Sequence, residues 1–108
     1  MANYQESVVP GIMTSWQRCH EIRIQNPYTE DLSSINVVFD EETIKILPDG
    51  EVLKSFKGNI IKSFNSDTVI SLRNPENWEL TGATITMGEI MAILGSAYWQ
   101  FALERDAQ

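Results

Sequence analysis

The chain has one histidine, His20, and one cysteine, Cys19, adjacent in sequence. A thiol beside an imidazole could form a nucleophile and its base, provided both reach one reacting atom and a third group orients the base. The surrounding pattern alternates as a strand does, and neighbouring strand residues point to opposite faces. His20 is therefore read as a satisfied core or interface histidine. Asp40, Glu41 and Glu42 form an acidic cluster. A calcium loop needs a longer, regular series of oxygen donors with an internal glycine, so this cluster reads as a solvated strand end. The chain lacks a glycine-rich phosphate loop, a Gly-x-Ser-x-Gly elbow and a paired-cysteine motif. No catalytic residue, cofactor site or metal ligand is assigned, and the expectation is a protein that is not an enzyme.

Composition points to protein partners. With 108 residues, 43% of them apolar, the chain is expected to fold as one domain with a thin core. A formal net charge of −7 is the wrong sign for a phosphate backbone or an anionic membrane, so neither nucleic acid nor membrane is expected as a partner. The single cysteine allows no intrachain disulfide. The first residues lack a basic stretch followed by an apolar run, which reads as no secretory signal, and synthesis and use in a reducing cytoplasm are expected. Lys45, Lys54, Lys57 and Lys62 recur along the candidate strands, where they could steer an acidic partner; the simpler reading is that they discourage edge-to-edge pairing.

These residues sit on a β-rich frame. Residues 1–14 show no period, are broken by Pro10-Gly11 and read as an arm; a single domain is expected over 15–108. From Trp16 a period of two places Trp16, His20, Ile22 and Ile24 on one face of a strand that ends at Asn26-Pro27. A loop over 28–33 follows. Strands are then expected over 35–40, 43–47, 52–56, 60–64 and 69–72. The turns assigned between them are Pro48-Asp49-Gly50, Lys57-Gly58-Asn59 and Asn65-Ser66-Asp67, with 74–77 closing the section. No helix-length gap separates the strands, so the expected class is α+β: an antiparallel meander or small barrel carrying one long C-terminal helix, with a β-sandwich as runner-up.

That helix is the most informative segment. Thr86 followed three residues later by Glu89 matches a capping box and predicts a helix over 87–105. Ile90, Ile93, Leu94, Ala97, Tyr98 and Phe101 make one broad apolar face, expected to lie on the sheet. Gly88, Ala92, Gly95, Ser96, Trp99 and Leu103 lie roughly opposite and are the candidate interface. Glycine inside a helix costs about 1 kcal/mol relative to alanine, so Gly95 implies that something approaches closely. That neighbour is a second subunit or partner protein, or else a loop of the same chain, for example around Trp78.

Short blocks along the chain carry a resemblance: Thr14-Ser15-Trp16-Gln17-Arg18 with Asn26-Pro27; Phe39, Glu41-Glu42 and Leu47-Pro48-Asp49-Gly50; Leu72-Arg73-Asn74-Pro75; and Met87-Gly88-Glu89 with Tyr98, Ala102 and Arg105-Asp106. Together they resemble small virion structural proteins of tailed bacteriophages. The resemblance implies a tail, neck, baseplate or capsid-decorating component. Such a protein would associate with itself and with other virion proteins, in the host cytoplasm during assembly and then in the particle. It carries over no catalytic residue. A small acidic adaptor or inhibitor that binds a host or viral protein is the other function expected of this charge and size.

Overall fold

The computed structural model describes residues 3–25 and 35–107; the expected loop over 28–33 lies outside them. Six strands and one helix follow in chain order: β1 (Tyr4–Val9), β2 (Met13–Gln25), β3 (Ile35–Ile46), β4 (Val52–Phe64), β5 (Val69–Arg73), β6 (Leu80–Thr86) and α1 (Met87–Asp106). β1 to β4 form an antiparallel meander in sequence order, and β5 and β6 pair as a separate antiparallel hairpin. The class is α+β.

Residues expected to be an arm enter the sheet. β1 pairs with β2 through Ser7–Ser15, Val8–Thr14 and Val9–Met13, and Gly11 turns the hairpin at φ 74°. The segments 35–40 and 43–47 are one strand, not two, because the carboxylates between them are accommodated in the sheet. The segments 52–56 and 60–64 are likewise one strand. Lys57-Gly58-Asn59 is a bulge, with Glu41 opposite Gly58 and Glu42 opposite Phe56, leaving Lys57 unmatched. Gly58 supplies the positive φ of 144° there.

A second bulge lies on β2. Cys19 pairs with Glu41 and Glu21 with Asp40, so His20 is the extra residue. One inserted residue reverses the side on which all later side chains emerge. Trp16, opposite Ile44, therefore faces away from the side of Ile22 and Ile24, which lie opposite Phe39 and Val37. The single face expected for these residues is split by the bulge.

The core gathers at one end of the sheet. Ile35, Val37 and Met87 are buried together, with Ile24, Phe39, Phe64, Ile70, Ile90 and Met91 packed against them. Sheet, hairpin and the first helical turn all meet there. The helix start is fixed by Thr86, whose hydroxyl oxygen accepts from the Glu89 N–H at 3.1 Å. The hydroxyl also donates to Glu89 Oε1 at 3.1 Å, so the Glu89 side chain closes the cap through Thr86 Oγ1.

The molecule is far from compact. Its radius of gyration is 18.2 Å, against about 13 Å for a close-packed chain of this length. It exposes 8195 Å², where a compact monomer of 12.3 kDa exposes about 6,100 Å². Roughly 2,000 Å² of surface is thus in excess of what folding of one compact chain leaves.

Candidate functional site

Beyond its first turn and a half, α1 leaves the core. Ile93, Leu94, Tyr98 and Phe101, expected to lie on the sheet, are exposed; of that face only Ile90 joins the core. Twenty residues of helix extend about 30 Å, and the core at its base is too small to follow it. Exposure continues round the other side, where Trp99 is 67% exposed and Leu103 is exposed as well. No charged side chain occurs from Ile90 to Leu103. An exposed helix with an uncharged run of this length departs from the amphipathic pattern of a surface helix.

The six candidate interface residues divide into two groups. Gly88 is already used within the chain. Its N–H donates to the Ser66 carbonyl at 2.9 Å, and a Cβ there would stand 3.1 Å from both Ser66 Cβ and Ser66 O. The neighbouring Met87 N–H donates to Thr68 O at 3.0 Å, so the β4–β5 turn holds the first helical residues. Gly95 is the opposite case, since a Cβ there would meet nothing within 4 Å. The loop around Trp78 does not cover it. Ser96 returns its hydroxyl to the Ala92 carbonyl at 2.8 Å, so its polar group is satisfied within the helix.

Gly88, Ala92, Gly95 and Trp99 line one wall of an open groove of about 610 Å³, together with Met91, Leu94 and Tyr98; Ile24 of β2 forms the other wall. Ser96 and Leu103 lie outside it. The role of Ile24 was not legible from spacing, because it depends on how β2 turns after the His20 bulge. The lining is mostly apolar, with the Tyr98 hydroxyl and the Trp99 indole N–H as its side-chain polar groups. It offers no acid, base or anion-binding cluster, and what it can do chemically is receive apolar surface.

The other residues considered for chemistry are used structurally. Asp40 and Glu42 are not at a solvated strand end: they lie mid-strand, 9% and 8% exposed. Arg23 Nη2 lies 3.3 Å from both Asp40 carboxylate oxygens. Arg18 Nη1 is 3.5 Å from Glu42 Oε1, and His20 Nδ1 is 3.8 Å from Glu42 Oε2. Glu42 Oε1 has the arginine within ion-pair reach but no hydrogen bond. These pairs tie β2 to β3 at the bulges. Cys19 donates to the Glu21 carbonyl at 3.5 Å. It is exposed, yet partial burial pushes its thiol above the usual range. Glu41 and Asp40 add to that rise, against the hydrogen bond to Glu21, which lowers it. A thiol held protonated is a poor nucleophile. Among the described residues no group of three or more His, Cys, Asp or Glu side chains is placed to hold a metal, and no helix is long and apolar enough to cross a membrane.

Comparison with models of protein families, with curated proteins and with solved structures finds no match.

Proposed function

We propose that this chain is a non-enzymatic structural subunit that works by associating with copies of itself, as a component of a tailed-phage particle. The observation that carries the reading is the surplus of about 2,000 Å² of accessible surface over a compact monomer. Obligate interfaces bury about 1,000–2,500 Å² from each subunit and are more apolar than other surfaces. The large apolar side chains left open on α1, with Phe56, Ile60 and Ile61 of β4, supply surface of that kind. Exposed large apolar side chains along one uncharged helix mark an interaction surface. The placement in a virion rests on the sequence resemblance alone.

Sedimentation velocity on the full chain at micromolar concentration tests the association. The expected result is a species of at least twice 12.3 kDa; a monomer persisting to hundreds of micromolar overturns the proposal. Stoichiometric recovery of the chain in purified particles tests its placement.

A further inference from the structure

We infer that α1 pairs with α1 of a second copy as an antiparallel helix pair, in which Trp99 of each subunit fills the open space over Gly95 of the other. The inference rests on the self-assembly reading and specifies its contact. Its basis is a match of shapes four residues apart on one helix. A Cβ at position 95 would meet nothing within 4 Å, and one turn later Trp99 presents an indole that its own chain leaves 67% exposed. Residues four apart share a helix face.

In an antiparallel pair whose two-fold axis passes beside residue 97, position 95 of one helix faces position 99 of the other, and the reverse holds by symmetry. Both indoles are then received by both glycines in one register. The same register sets Met91 against Leu103 and Ala92 against Ala102, so large side chains meet large ones only at the flanks and small ones let the backbones approach. Nothing charged enters the contact between Glu89 and Glu104. The Ser96 hydroxyl, satisfied by Ala92 O, brings no unmet hydrogen bond with it.

Charge favours this occupant. A parallel pair would place Glu104 and Asp106 beside their own copies. The antiparallel pair sets the C-terminal carboxylates of the two copies at opposite ends of the contact. A strand is the poorer occupant. β4, the long outer strand of the sheet, carries Lys54, Lys57 and Lys62 and no carboxylate, the pattern that opposes strand addition.

A size swap tests the register in the full chain. Gly95→Trp sets two indoles against each other, and Trp99→Gly leaves two gaps; each is expected to raise the dissociation constant at least tenfold. The double variant, Gly95→Trp with Trp99→Gly, restores one large and one small residue at each contact and should return within about threefold of the original. A disulfide provides a second measurement that leaves Gly95 and Trp99 intact. Ala92→Cys with Ala102→Cys, in a Cys19→Ser background, should oxidise to a covalent dimer. If the unaltered chain is a monomer, the self-assembly reading fails and this inference with it. If it self-associates but the single variants keep their affinity, the double fails to recover, or no covalent dimer forms, the helix pair alone is overturned.

Discussion

The two halves of α1 differ in what holds them. From Met87 to Met91 the helix is held: Thr86 caps it, the β4–β5 turn accepts its first N–H groups, and Met87, Ile90 and Met91 meet the core. From Ile93 to Asp106 the same helix, no less apolar, touches almost nothing of its own chain. One element thus contains a folding half and an unpartnered half. Apolar content therefore does not locate the core here, because a comparably apolar part of the helix is left outside it.

The largest expected effect separates the halves by stability. Ile35 is completely buried beside Met87, and Ile35→Ala should cost about 2–5 kcal/mol by removing packed methyl groups from a very small core. The same kind of truncation at Phe101 should change the stability of the isolated subunit by no more than about 0.5 kcal/mol, as at other surface sites. Urea unfolding at dilute, monomeric concentration checks both. Comparable losses at the two positions would mean that the distal helix packs on its own chain after all.

The next effect reverses the roles. Trp99→Ala should weaken self-association by about 2 kcal/mol or more, the range of an interfacial aromatic anchor, and leave the unfolding midpoint of the monomer nearly unchanged. Sedimentation equilibrium over a concentration series measures it. A variant that associates as tightly as the original would place the interface elsewhere, with the exposed apolar residues of β4 as the next surface to examine.

What the sequence disclosed follows the range of the interactions involved. The capping box at Thr86 and Glu89 is a contact between residues three apart, so the start of α1 could be read directly. The antiparallel meander could be read from alternation and turn residues. The two bulges could not. Nothing local at His20 marks an inserted residue, since a bulge is defined by the partner strand, and missing it placed Trp16 and Ile22 on one face; at Lys57 the glycine that follows is a local cue, but it suits a turn as well as a bulge. β6 was missed because Leu80–Thr86 contains Gly82 and little alternation, and is a strand only because β5 lies beside it. Gly95 stood out because an interior glycine lowers helix propensity without local benefit. Its neighbour on the same face, Gly88, carried the same signal and proved to serve its own chain. Thr86→Ala should remove the cap and cost about 1 kcal/mol in the same unfolding measurement, a local effect that association does not alter.

The smallest effects give the sharpest division, because they come from one substitution at two positions of one face. At Gly95 an added methyl group meets open space, so Gly95→Ala should stabilise the isolated subunit by about 0.5–1 kcal/mol through helix propensity. At Gly88 the methyl group would press on Ser66 Cβ and its carbonyl oxygen at 3.1 Å. That turn is poorly able to yield: Asn65 Oδ1 accepts from the Asp67 N–H at 2.9 Å and from the Thr68 hydroxyl at 3.2 Å, and Ser66 O already accepts from Gly88. Gly88→Ala should therefore destabilise by about as much as propensity would have contributed. In the associated state Gly95→Ala should lose affinity, since the methyl group occupies space assigned to the partner's indole, whereas Gly88→Ala should leave affinity per folded subunit unchanged. Unfolding and sedimentation on the two variants yield four numbers, three with predicted signs and one expected at zero. A Gly95→Ala variant that gains both stability and affinity would show that the open space over this glycine receives nothing.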